Sequence, residues 1–381
     1  MAAMPPVASR ERYCSGVAGL EDLTLIIPTL NRHQSVARAI SYWSDRGPRV
    51  LILDGTEDPI EDSILQSMGS NVRYMHGERE ITTRLEMVES AVSTDFACLH
   101  GDDELHLPSA LDASVQLLIE QPQVASCMGW ALGFEASDDG DIWASECYPA
   151  LRGYQIDSEH PMSRVRQHLI PYVVPAQVYA VARTTLLIRA LRTSLSNPHR
   201  SFFAQSELEY EISMAAQGNF FSIPQLHWLR RMEPSELRGT NVDTNPEMSF
   251  TSFWSDPLRA IEREYFVNNL ARNLAEIAGD SEADAKSELL NILDAHHHMR
   301  KAGEQAALRG VLRRTLRPYL SPLWPLARRA RARVNVFREM TKPPTLIAEA
   351  EGLRRTGMTF DEDELLEAIA YLSPHDAAGS P

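Results

Sequence analysis

The sequence predicts an α/β protein, a mostly parallel sheet flanked by helices and followed by an α-helical C-terminal region. Three observations predict it. Short apolar runs bounded by turn formers alternate with segments of helical spacing from Leu23 onward, the pattern of βαβ units. Several of these runs stop at an acid or a hydroxyl residue, as a parallel strand does where it reaches the ligand edge of an open sheet. After about Ser252 the chain keeps a helical pattern to its end.

Taken in order, "LTLIIPTL" (Leu23 to Leu30) is a β-rich apolar run halted by Pro28, and "SVARAISYW" (Ser35 to Trp43) sets Val36, Ala39, Ile40 and Trp43 at helical spacing. "RVLILDG" (Arg49 to Gly55) is a second strand, and "EDSILQSMG" resumes a helix. "NVRYMHG" reads as a third strand, and "TTRLEMVESAV" as one helix with Leu85, Val88 and Val92 on a face. "FACL" (Phe96 to Leu99) is the next buried strand, running into Gly101, Asp102, Asp103 and Glu104. From Gly129 to Asn197 the pattern is less regular, with "VYAVART" as a strand and "TTLLIRALRTSL" as a helix. "SELEYEISMAAQG" (Ser206 to Gly218) is a helix stopped by Gly218, and "NFFSIP" and "QLHWLRR" read as two closing strands. The polar run from Met232 to Ser249 reads as a loop or linker. The expected organisation is an N-terminal extension over 1–22, an α/β domain over 23–235, a linker over 236–251 and a helical region over 252–381.

A chain of 381 residues with 44% hydrophobic content supports a large core. The formal charge of −15 argues against a nucleic-acid partner. The four cysteines, Cys14, Cys98, Cys127 and Cys147, lack metal-type spacing, so a reduced cytoplasmic compartment without disulfides is expected. The N-terminus has no apolar signal core, and no run approaches the roughly 20 apolar residues that span a bilayer. From Arg309 to Arg338 nine arginines and no acids are interleaved with Leu, Tyr, Trp and Phe, which suits either peripheral contact with an anionic membrane at its inner face or a helical subdomain with solvated arginines. His296, His297 and His298 splay over different faces of a helix and are expected in solvent rather than on a metal.

Thr29, Asp54 and Asp102 all fall at or just past strand ends and are expected to line one crevice. Adjacent carboxylates there suit a hard divalent cation carrying a phosphate, although Asp, Gly and Pro are also ordinary turn residues. Asp102 is expected to stand exposed in its loop.

The segments "LTLIIPTLNR", "VLILDGTED", "TRLEMVESAVSTDFACLHGDDELHLPSAL" and "SELEYEISMAAQG" resemble, in this order, the family 2-like glycosyltransferases of the GT-A fold, over about Leu23 to Arg231. The resemblance implies an inverting, metal-dependent transfer of a sugar from a nucleotide-sugar donor to a hydroxyl of a glycan or lipid-linked acceptor, in surface polysaccharide synthesis. It implies a donor site of Pro28, Thr29, Arg32, Asp54, Arg84, Asp102 and, more loosely, Arg231 or its neighbour Arg230. Arg84 lies eighteen residues before Asp102, the spacing at which the family places an arginine before its metal-binding acid. The same resemblance implies Mg²⁺ or Mn²⁺ on Asp102 and Asp103. His100 stands where the family's first metal acid belongs, as a metal, sugar or phosphate contact or as a packing residue. Glu207 is implied as the general base with Glu209 in reserve; on helical geometry alone, Glu207 and Glu211 are equally the solvated face of a helix. The alternative function is an inactive GT-A module that binds nucleotide sugar or serves assembly, which the His100 substitution permits.

Overall fold

The computed structural model describes residues 19–136, 141–171, 177–198, 205–232, 249–316 and 343–372, and over 306–316 the backbone alone. Ten strands form one sheet: β1 (Leu23–Thr29), β2 (Arg49–Asp54), β3 (Val72–His76), β4 (Phe96–Leu99), β5 (Leu105–His106), β6 (Val124–Ala136), β7 (Ile142–Cys147), β8 (Gln155–Ile156), β9 (Val181–Arg183) and β10 (Asn219–Arg231). Their order is β3-β2-β1-β4-β9-β6-β10-β5, with β7 beside β6 and β8 beside β10. The predicted α/β class is what the chain adopts. The parallel pairs β3-β2, β2-β1 and β1-β4 make one half of the sheet, and the long parallel pair β6-β10 dominates the other. Antiparallel β9 joins the halves.

The apolar runs are nearly continuous because both faces of the parallel half are covered. Along β1, Leu25 and Ile27 pack with Val36, Ile40 and Trp43 of α1 (His33–Trp43) and with Leu111 and Val115 of α5 (Pro108–Glu120). Ile26, pointing the other way, packs with Val88, Leu187 and Met214. These come from α4 (Val88–Ala91), α7 (Thr184–Leu195) and α8 (Gln205–Gln217). Burying each such side chain is worth about 1.5–3 kcal/mol, so the two clusters fix the register that places the strand ends. The helix α2 (Asp62–Gln66) lies between β2 and β3.

Three local expectations change. The predicted helix "TTRLEMVESAV" is two short pieces, α3 (Ile81–Glu86) and α4, divided at Met87. The two closing strands are one strand, β10, whose pairing with β6 shifts register between Ser222 and Leu226. Pro224 sits at that irregularity, and the backbone there pairs outward instead: Thr359 N donates to Pro224 O at 2.8 Å and Leu226 N to Thr359 O at 2.8 Å. His296 and His297 are buried, because the imidazole of His296 meets the carbonyl of Leu169 on α6 (Pro161–Leu169) at 2.9 Å; only His298 is exposed.

The C-terminal helices are α9 (Phe250–Ser255), α10 (Ala260–Ala278), α11 (Glu282–Leu316), α12 (Leu346–Arg354) and α13 (Glu362–Leu372). Gly279 ends α10 with φ 74°, a left-handed conformation that suits glycine. α10 packs on α8, and α12 on β7. Glu364 of α13 accepts from the backbone N–H of Ser109 and from its hydroxyl at 2.7 Å, holding the start of α5 with a carboxylate. The linker predicted over 236–251 lies outside the described residues as far as 248, as does most of the arginine-rich segment 309–338. Cys98, Cys127 and Cys147 are free and buried, and Cys14 lies outside the described residues. No helix among the described residues is long and apolar enough to cross a membrane.

Candidate active site

Parallel pairing of β1 with β2 sets Thr29 directly opposite Asp54, and pairing with β4 carries the chain onward to Asp102 beside them. The hydroxyl of Thr29 donates to Asp102 Oδ2 at 2.6 Å. Arg32, just after β1, donates from Nη1 to Asp102 Oδ1 at 2.9 Å and to Asp103 Oδ2 at 2.8 Å. Asp54 is fully buried and accepts from Thr56 N at 2.8 Å and from the Tyr74 hydroxyl at 2.7 Å, with His33 Nε2 3.6 Å away. Burial opposes its ionisation, but the hydrogen bonds and His33 outweigh it and hold its pKa below the ordinary carboxylate value. At Asp102 burial wins and pushes the pKa up, against the opposing pull of Thr29 and Arg32. The three strand-end residues expected to line one crevice do come together at the strand ends, but they are buried beneath it and its wall is made by their neighbours. Asp102, however, is only 9% exposed and is not a free loop carboxylate.

The crevice has a volume of about 910 Å³ and is walled by Arg32, Gln34 and Ser35 at the start of α1, by Asp103, and by Arg230 and Arg231 at the end of β10. Pro28 lies one residue inside, opposite Leu53 in the β1–β2 pairing. Arg231 is exposed at the wall, so the loosely placed end of β10 does reach the site.

Three predicted residues are placed elsewhere. Arg84 is 2% exposed, and its Nη1 donates to the carbonyls of Thr29 at 2.5 Å and Leu53 at 2.7 Å. It ties the ends of β1 and β2 together beneath the crevice instead of facing an anion. Gly55 permits this approach, since a Cβ there would lie 2.6 Å from Arg84 Nε. His100 is 2% exposed and packs edge-on between the rings of Trp43 and His106, at 5.8 and 4.7 Å. It is the packing residue of the two alternatives, with burial pushing its pKa down to about 4. Glu209 is fully buried and accepts from Asn197 Nδ2 at 2.8 Å, so the reserve base is a core hydrogen-bonding group. Glu211 is also buried and not a solvated face: it accepts from the N–H groups of Gln177 and Val178 and meets His168 Nε2 at 2.8 Å.

Glu207 lies near Arg230 of the crevice wall and near Tyr148 and Tyr179. Burial raises its pKa, Glu211 adds to this, and Arg230 opposes it. These surroundings are aromatic: Trp228 stacks against Tyr179 at 4.5 Å and Tyr148 at 5.7 Å between ring centroids. Arg230, which also lines the crevice, lies over the Tyr148 ring at 5.6 Å. Glu104 was missed in the sequence. Its carboxylate accepts from Trp228 Nε1 at 2.9 Å, and burial next to Asp103 pushes its pKa up to about 8. The run Asp102–Asp103–Glu104 thus faces two ways, and the acid following the strand-end pair was the available signal. Tyr148, Tyr179 and Trp228 carry no local signal, because three distant strands and loops bring them together.

The expected divalent ion can be tested against these donors. Of its three predicted ligands, His100 is turned into the core, and Asp102 and Asp103 are both bound by Arg32. Among the described residues no three His, Cys, Asp or Glu side chains form a group able to hold a metal. The residues present do not fit the ion.

No family profile and no curated protein matches the chain. Among solved structures it is similar to S. aureus TarS 1–349, with 10% identity over 74% of this chain and 91% of that one and a TM-score of 0.38. A second TarS structure gives 10% identity, 72% and 55% coverage and a TM-score of 0.37. A mycobacterial protein gives 13% identity, 71% and 81% coverage and a TM-score of 0.34.

Proposed function

We propose that this protein is an inverting GT-A-type glycosyltransferase that moves a sugar from a nucleotide-sugar donor to a hydroxyl of a glycan or lipid-linked acceptor, in surface polysaccharide synthesis. The observation that carries the reading is the meeting of two half-sites at Arg230. On one side is an arginine-walled crevice at the strand ends, suited to a diphosphate, and on the other a cluster of aromatic side chains near Glu207. The motif resemblance over Leu23 to Arg231 supports the same assignment.

In this reading the base ring of the donor lies at the β2 end, which the buried Asp54 holds in place through Thr56 and Tyr74. The acceptor hydroxyl lies beside Glu207. As its oxygen attacks the anomeric carbon, Glu207 takes the proton, and the carbon–oxygen bond to the phosphate breaks with its electron pair going to the diphosphate. Attack opposite the leaving group inverts the anomeric centre. The raised pKa of Glu207 makes it a stronger base than an exposed carboxylate, and desolvation by burial is the main cause. Peripheral contact of segment 309–338 with an anionic membrane, which would deliver a lipid-linked acceptor, belongs to the same proposal.

The second reading is a binding or assembly module without turnover, favoured by the burial of His100 at the place of the family's first metal acid. Turnover separates them. Pure protein incubated with UDP-, GDP- and dTDP-sugars and candidate acceptors is expected to release nucleoside diphosphate. Binding in a thermal-shift screen without release from any donor–acceptor pair would favour the module.

A further inference from the structure

We propose that the cation facing the diphosphate in this crevice is the protein's own, Arg32 held by Asp102 and Asp103 with Arg231 and Arg38 beside it, and that donor binding needs no divalent metal. The identification of the anion as a nucleotide sugar's diphosphate rests on the glycosyltransferase reading.

The donor set carries the argument. A single nitrogen, Arg32 Nη1, bridges Asp102 Oδ1 and Asp103 Oδ2 at 2.9 and 2.8 Å, the place a bridging cation would take. The other oxygen of Asp102 is occupied by Thr29 at 2.6 Å. A metal entering here would have to eject a guanidinium and break two charge-assisted hydrogen bonds. It would gain no third side chain, since His100 is sealed among aromatic rings.

Arg32 is also placed to act. Its side chain is 53% exposed at the crevice. A guanidinium has five N–H donors, and those on Nη2 and Nε of Arg32 have no partner among the described residues. Arg231 makes no ion pair among the described residues, and Arg38 only a 3.4 Å hydrogen bond to Ser35. Arg38 and Arg231 lie near one another with neither in an ion pair among the described residues, so they offer donors to an anion, while Asp103 and Asp102 act on Arg38 from further off. The proximity of the two arginines shows in Arg38, whose pKa is lowered by burial and then by the charge of Arg231. Arg32, Arg38 and Arg231 are three guanidiniums set against the two carboxyl groups of Asp102 and Asp103, so positive charge is in excess there. The diphosphate of a nucleotide sugar is a diester carrying two negative charges. When the glycosidic bond breaks, the departing nucleoside diphosphate gains a third, and the free N–H donors of Arg32 are available to stabilise it. The eleven-residue helix α1 adds its N-terminal N–H groups at Gln34 and Ser35.

The test is calorimetry on the full chain with inorganic pyrophosphate, UDP, GDP and dTDP, each in EDTA and each with Mn²⁺. Mn²⁺ alone is followed by electron paramagnetic resonance. The expected result is that at least one diphosphate binds with a Kd within about twofold in EDTA and in Mn²⁺, and that the protein alone takes up no Mn²⁺. Arg32→Gln and Arg231→Gln should each weaken binding about tenfold or more, the loss expected of a charge-assisted contact. Arg231 is exposed, so its variant keeps the test valid if Arg32→Gln does not fold. Binding that appears only with Mn²⁺, or that neither variant weakens, overturns the proposal while leaving the glycosyltransferase reading intact. Pyrophosphate binding in EDTA without any nucleotide binding supports the arginine site and sinks the glycosyltransferase reading. No binding under any condition overturns both.

Discussion

The hydroxyl of Thr29 and the carboxylate of Asp102 are joined across 2.6 Å although seventy-three residues separate them, and this contact locks the end of β1 to the loop after β4. Asp102 is buried and one of its oxygens depends on that hydroxyl. Thr29→Val keeps the shape and removes the donor, leaving a buried carboxylate oxygen unpaired. The expected cost is about 1–3 kcal/mol. Urea denaturation should show a lower midpoint with an unchanged slope. A midpoint equal to wild type would mean that water replaces the hydroxyl without loss. For the same reason Asp102→Ala is not the stability-neutral change that an exposed loop carboxylate would allow.

Glu207 and Glu209 separate by what each is bonded to. Glu207→Gln keeps size and removes basicity, so turnover should fall about 10²–10⁴-fold with donor affinity little changed. Glu209→Gln alters a fully buried group holding Asn197, and its loss should appear in thermal stability instead. Initial rates and melting curves of both proteins check this. A Glu207→Gln enzyme within about threefold of wild type would remove Glu207 from the mechanism.

Glu104 gives a pH signature. Its folded pKa, raised to about 8, stands above an unfolded value of about 4.3. The folded state therefore binds the extra proton, and the group's stabilising contribution is full below the unfolded pKa and lost as pH rises through about 8. Glu104→Gln keeps the acceptor for Trp228 and cannot ionise. The melting temperature of the variant relative to wild type should rise from about pH 5 to about 8 and level off above. A flat difference across that range would show that Glu104 ionises normally in the fold.

Arg84 distinguishes a strut from a phosphate ligand. Arg84→Lys is shorter and lacks the second nitrogen that donates to the Arg79 carbonyl at 3.3 Å, and the expected destabilisation is about 1.5–3 kcal/mol. Donor affinity of the folded variant, measured by calorimetry, should stay within about threefold of wild type. A selective affinity loss of about tenfold at unchanged stability would return Arg84 to the diphosphate.

The sequence by itself determined the α/β class, the strand ends and the gathering of Thr29, Asp54 and Asp102 there. Apolar period and turn residues are local properties, and parallel pairing forces strand carboxyl ends to one edge. It also pointed to Glu207, which the fold sets near Arg230. It could not say that Arg84 points under the crevice, because a guanidinium at that position reaches either an anion or a carbonyl, and only the packing of Gly55 against it decides. His100 was ambiguous for a like reason. Only the tertiary structure brings Trp43 and His106 around the imidazole, and desolvation among those rings then makes it a packing group. Arg32 was legible as a residue near the donor, but its bridge between Asp102 and Asp103 needed β1 and β4 side by side. The aromatic cluster was illegible altogether: Tyr148 follows β7, Tyr179 precedes β9 and Trp228 lies in β10, and no periodicity within one segment encodes a contact among three. Side-chain direction at a site is set by what else fills the space, and that is a property of the folded chain.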